Sequence, residues 1–202
     1  PVLVLMEGWG TAGKGSTIGQ VIRNIDPRFF QVVSLEKTTE DEVRKPFLSR
    51  YFTKIPEVGK FVFLDSGWMD EITKLCLQDK LEGKEYETKI DSIRRFERQL
   101  TDNGYLVMKF FFHIGEKEQK KRIDALLADI DTQWRVSESD KWQNKHYGKC
   151  MEVFDRYLET TNSPSAPWYI VDAKSRKWAE LQVMETLTEG IDIALHKSQL
   201  EV

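Results

Sequence analysis

The chain has 202 residues, of which 31% are charged and 40% hydrophobic, enough for one sizeable α/β domain with a buried core. A net charge of −3 gives no general attraction to nucleic acid or an anionic membrane, so a polyanionic ligand would need a local basic site. There is no signal-peptide pattern and no membrane-length apolar run, which predicts a cytoplasmic protein without nucleic-acid or membrane partners.

Residues 2–6 (V-L-V-L-M) form an apolar run of strand length. Residues 8–15 then read G-W-G-T-A-G-K-G, and a helical segment is expected over 15–24. A glycine-rich turn between a buried strand and a helix start is a phosphate-cradling P-loop arrangement. Gly8 and Gly13 permit a close backbone approach, and the amides around Gly13 and Gly15 aim at phosphate oxygens with the positive end of the helix dipole behind them. Lys14 supplies a mobile ammonium to a transferring phosphoryl group. Gly15 follows the lysine directly, so the hydroxyl available to a metal shifts to Ser16 or Thr17.

Further strands are expected at 31–35, 60–64, 105–112 and 168–171, alternating with helices at 40–51, 86–103, 117–129, 139–160 and 174–197. That alternation predicts a parallel sheet with helices on both faces. In the last helix, Trp178, Leu181, Met184, Leu187 and Ile191 read as the core-facing stripe. Residues 162–167 (N-S-P-S-A-P) are a connector, and no repeat or linker divides the chain. Cys76 and Cys150 lie far apart without metal-ligand spacing and read as free thiols.

Asp65 ends the strand at 60–64. Beside a P-loop such an acid holds the Mg²⁺ shell, although capping the next helix would also explain it. Lys37, Arg44, Lys45, Arg50 and Lys54 form a basic cluster that is either solvated surface or anion-binding. Arg94, Arg95 and Arg98 can share one helix face, and His113 reads as structural.

Taken together, these landmarks resemble the polyphosphate kinase 2 family. The resemblance rests on E-G-W at 7–9 with A-G-K-G at 12–15, I-D-P-R at 25–28, R-Y-F at 50–52, Asp65 with Trp68, and F-E-R-Q-L at 96–100. It continues through K-F-F-F-H at 109–113, Glu118, Gln119 and Arg122, W-R-V at 134–136 and A-P-W at 166–168. It implies a P-loop kinase fold with a helical lid over about 117–147, and Mg²⁺-dependent phosphoryl transfer between inorganic polyphosphate and an adenine nucleotide. It also implies phosphate or nucleotide contacts by Gly8, Gly13, Lys14, Gly15, Ser16, Thr17, Arg50 and Arg122, and catalytic roles for Lys14 and Asp65. Homo-oligomers, or a second such domain in the same chain, are the partners it implies.

Three departures stand out. Active members carry Asp where this chain has Gly10, and Arg after the metal-binding Asp where it has Ser66. The lid, usually rich in arginine, has Asp124, Asp129 and Asp131 and no basic residue between 123 and 133. With the start inside a strand, these losses resemble the degenerate half of a two-domain polyphosphate:AMP phosphotransferase, so weak turnover is expected. Gly10→Asp with Ser66→Arg is expected to restore part of it. The alternatives are a non-catalytic phosphate-binding or scaffold domain and, on the G-K-G-S run alone, a nucleoside monophosphate kinase.

Overall fold

A computed structural model describes residues 1–35 and 39–200, with side chains up to residue 196. Its centre is a parallel sheet of β1 (Val2–Gly8), β2 (Phe30–Val33), β3 (Phe61–Asp65), β4 (Leu106–His113) and β5 (Trp168–Asp172), in the order β2-β3-β1-β4-β5. β1 lies between β3 and β4, and Leu3, Val4, Leu5 and Met6 are all buried. Covering on both faces explains why the run is continuously apolar rather than alternating. The chain leaves the central strand at its C-terminal end, which is where open α/β sheets place ligands.

Helix α1 (Lys14–Val21) packs with α9 (Arg176–Leu200) on one face. On the other, α4 (Trp68–Leu77), α5 (Gly83–Asp102) and α8 (Tyr147–Thr161) pack together. The segment expected to form the lid comprises α6 (Glu116–Ala128), a 3₁₀ turn at Gln133–Arg135 and α7 (Glu138–Lys145). No helix among the described residues is long and apolar enough to cross a membrane. Cys76 and Cys150 are free.

The structure corrects several expected elements. The helix expected over 40–51 is two short ones, α2 (Glu40–Val43) and α3 (Ser49–Phe52), because Pro46 lacks the needed N–H and disfavours helical geometry at Lys45. The one expected over 139–160 breaks at His146, whose backbone sits at φ −116°, ψ 36°. Helix α4 was not anticipated, although Trp68, Met69 and Ile72 recur at helical spacing and are buried. On α9 the predicted stripe holds at Met184, Leu187 and Ile191, which pack on the core, and fails at Trp178 and Leu181, which are 59% and 43% exposed. Ala179 and Val183 are buried in their place. Lys37 lies outside the described residues.

One buried ion pair crosses the core. Lys109 on β4 meets Glu97 on α5 at 2.7 Å, donates to the Thr161 carbonyl at 2.9 Å, and lies over the Trp168 ring. Trp68 Nε1 donates to the other Glu97 oxygen at 3.1 Å. Each charge of the pair therefore has a further hydrogen-bond partner besides the other, which helps the core tolerate two buried charges.

Candidate active site

β1 runs straight into the glycine turn. Gly8 has φ 110°, and a Cβ there would meet the backbone nitrogen and carbonyl oxygen of Phe112 on β4, so only glycine fits. Trp9 N–H donates to the Phe112 carbonyl at 3.1 Å. The Trp9 ring is wholly buried and stacks on Tyr147 at 4.1 Å, which fastens the turn to the start of α8. Gly13 has φ 103° with open space around its Cβ position, so there it is the conformation that requires glycine. Helix α1 follows with no side-chain cap and no acid in its first turn, leaving its amides and positive dipole end for an anion. Ser16 is exposed at this end, whereas Thr17 is buried on the core side of α1; of the two hydroxyls, only that of Ser16 faces solvent.

Lys14 lies beneath the turn, its Nζ donating to the carbonyls of Gly8 at 3.2 Å and Trp9 at 2.9 Å. Gly8, Gly10, Lys14, Asp65, Ser66, Asp70 and Lys74 line one cleft of about 270 Å³, closed on the lid side by Ser137, Ser139, Asp140 and Gln143. Asp65 ends β3 next to Gly15, with a carboxylate oxygen 3.5 Å from the Cβ position there. Burial raises its pKa, Lys14 opposes the rise, and Asp70 adds to it. Glu7, one residue before the turn, is fully enclosed and accepts from the N–H groups of Gly67 at 2.8 Å and Met69 at 3.2 Å. Burial pushes its pKa up to about 8, with Asp70 contributing to the rise. Glu7 thus ties the end of β1 to the start of α4, which carries Asp70 and Lys74 into the cleft.

Arg122 was expected to contact phosphate, but it braces the turn from behind. Its guanidinium donates to the carbonyls of Thr11 (3.4 Å), Ala12 (3.2 Å), Ala173 (2.6 Å) and Lys174 (2.9 Å), and to Glu118 at 3.1 Å. With both ends of the fork and Nε engaged, no face of the group is left for a ligand. Arg50 pairs with Glu42 at 3.6 Å and Glu71 at 3.9 Å and does not line the cleft. Arg94, Arg95 and Arg98 are exposed on α5, where Arg98 pairs with Asp102.

Asp70, Lys74, Asp140 and Gln143 were missed by sequence reading. Asp140 carried a signal: with Ser137 it forms a capping box, a pattern legible from S-x-x-D alone. The expected rescue by Gly10→Asp also meets an obstacle. A Cβ at residue 10 falls on the Asp140 carboxylate, so a second acid there requires the Asp140 side chain to move aside.

With this geometry in hand, similarity to known proteins becomes specific. Residues 1–199 match the family described as polyphosphate kinase 2. The chain belongs to the polyphosphate kinase 2 family. It is 31% identical over 195 residues to the polyphosphate:AMP phosphotransferase of Pseudomonas aeruginosa, covering 96% of this chain and 39% of that protein. Against the AMP/ADP-polyphosphate phosphotransferase of Meiothermus ruber, identity is 25% over 193 residues, with 94% and 72% covered. The crystal structure of polyphosphate kinase 2 from Arthrobacter aurescens superposes with a TM-score of 0.91 at 26% identity, covering 95% of this chain and 68% of that one. The chain therefore spans about two fifths of the Pseudomonas relative's length.

Proposed function

We propose that this chain is a cytoplasmic phosphotransfer domain of polyphosphate kinase 2 type, moving a phosphoryl group between inorganic polyphosphate and AMP or ADP, with residues 117–147 as its lid. One observation carries this reading: Lys14, the uncapped start of α1 and Asp65 converge on a single polar cleft at the C-terminal end of the central strand. Phosphoryl transfer asks little covalent chemistry of a protein; it asks for position and charge. The amides of Gly13 and Gly15 and the Ser16 end of α1 orient the phosphate oxygens. Lys14 Nζ leaves its two carbonyl partners to meet them. An adjoining cavity of about 500 Å³ has Trp142 and Leu77 in its wall and shares Asp70, Lys74, Ser139 and Gln143 with the cleft, suiting the less polar part of a nucleotide.

The donor set also fits Mg²⁺. Among the described residues no three acid, histidine or cysteine side chains converge as a metal cage. Mg²⁺ is commonly held by one or two carboxylates together with water and phosphate oxygens, and Asp65, which lines the cleft, offers one such carboxylate, whereas Ser16 is not among the residues lining it. When bound, the ion neutralises charge on the transferring group. A homo-oligomer or a second family domain is the partner we expect; sedimentation of the purified chain as a dimer or larger species would support the first.

The test supplies purified protein with polyphosphate, Mg²⁺ and AMP or ADP, and follows nucleotide phosphorylation. Lys14→Ala and Asp65→Asn should each lower the rate by roughly a hundredfold or more. Transfer indifferent to both substitutions would remove this reading. A double-null result, in which the protein binds phosphate yet transfers none, would favour the scaffold alternative.

A further inference from the structure

The lid touches the phosphate loop through groups that resemble a ligand. Gln143 Oε1 accepts from the Gly10 N–H at 3.0 Å. Asp140 uses one carboxylate oxygen, Oδ2, to cap α7 through Ser137, and its other, Oδ1, occupies the place a Cβ on residue 10 would take. Gly10 does not have the left-handed backbone that demands glycine, so its missing side chain matters for space alone. From α6, Gln119 Nε2 donates to the Gly10 carbonyl at 3.2 Å, while Asn144 of α7 donates to Gln119 Oε1 at 3.1 Å. Both polar backbone groups of Gly10 are thereby held by lid side chains. Lys14, meanwhile, spends its ammonium on the carbonyls of Gly8 and Trp9.

We propose that α7 is a tethered stand-in for the phosphate ligand. An anionic carboxylate over Gly10 and a carboxamide oxygen on its N–H fill the mouth of the loop that an inorganic phosphate chain must enter. This rests on the reading of the loop as a phosphate site. A polyanion cannot share that mouth with Asp140, because like charges at close range in a partly enclosed cleft repel. Binding therefore requires α7 to leave. The geometry supplies a pivot at His146, where the backbone departs from helix, directly before the anchored Tyr147. Tyr147 stacks on Trp9 and donates to the Ile114 carbonyl at 2.9 Å, so α8 can stay in place while α7 turns. The apparent affinity for phosphate is then lowered by the fraction of molecules with α7 seated.

The experiment compares wild type, Gln143→Ala and Asp140→Asn, measuring tripolyphosphate binding by calorimetry and exchange of the Gly10 amide hydrogen without ligand. Lys14→Ala in each background reports whether binding uses the loop. The expected result is faster Gly10 exchange in Gln143→Ala and roughly two- to twelvefold tighter, Lys14-dependent binding in both variants, the range that loss of one net hydrogen bond corresponds to. Lys14-dependent binding that is equal in wild type and both variants overturns the inference and leaves the phosphate site standing. Weaker binding in both also overturns it, and makes Asp140 and Gln143 contacts of the ligand. If neither wild type nor variants bind tripolyphosphate, the phosphate reading fails and the inference falls with it.

Discussion

At Gly8 two constraints coincide, a φ of 110° and the backbone of Phe112 against the Cβ position. Gly8→Ala should therefore destabilise the fold by about 2–4 kcal/mol, read from chemical denaturation, whereas Gly19→Ala, on exposed helix with open space, should be neutral or slightly stabilising. A result in which both substitutions cost the same would contradict the close-approach account. Lys14 is a different kind of residue, since its contacts to Gly8 and Trp9 are ones it can exchange. Lys14→Ala should leave stability within about 1 kcal/mol yet weaken tripolyphosphate binding at least tenfold. The demand for glycine at 8 and 13 was legible because the strand and the glycines are contiguous in sequence. The roles of Arg122 and Thr17 were not. An arginine's charge says nothing about whether its donors are already taken, and the hydroxyl's direction depends on which face of α1 is buried.

Between elements, two buried acids hold the site's framework together. Glu7 joins β1 to α4, and its pKa of about 8 against an ordinary 4.5 means the native state holds the proton more tightly than the unfolded chain. Stability from this group is present below pH 4.5, falls as pH rises through about 8, and is flat beyond. Denaturant midpoints taken from pH 5 to 9 should show that decline, and Glu7→Gln, which keeps an acceptor for Gly67 and Met69, should flatten it. An equal slope in the variant would mean that Glu7 is not the titrating group. The Lys109–Glu97 pair links β4 to α5. Lys109→Met should cost about 3–5 kcal/mol by leaving a buried carboxylate alone, and adding Glu97→Gln should recover part of that. An additive double variant would show that the two charges do not depend on each other. Sequence pattern identified the strands that carry Glu7 and Lys109, because buried parallel strands are runs of apolar residues. It divided helices poorly. Pro46 marks the first break in the sequence itself, while the break at His146 has no such local breaker and falls just before Tyr147, which stacks on Trp9 far away in sequence.

For the whole molecule, the sheet order places the glycine turn and Asp65 at the C-terminal ends of neighbouring strands, where Asp140 and Gln143 complete one cleft, while Glu97, Lys109 and Trp168 belong to the core. Motif order was enough to indicate the family and the P-loop kinase architecture. What it could not convey was occupancy. The space at Gly10 is empty in sequence and filled by Asp140 in the fold, so the charge expected at residue 10 is replaced nearby by one from the lid. Ser66 has no such replacement among the residues lining the cleft except Lys74, whose Nζ also pairs with Asp70 at 2.6 Å. Turnover should accordingly be slow, since a charge missing from the transition state costs about 2–4 kcal/mol. The most direct test of the central claim is polyphosphate-dependent phosphorylation of AMP and ADP by the purified chain with Mg²⁺, wild type beside Lys14→Ala. The account predicts slow transfer in the wild type and none above background in the variant. Equal rates in the two proteins would contradict it.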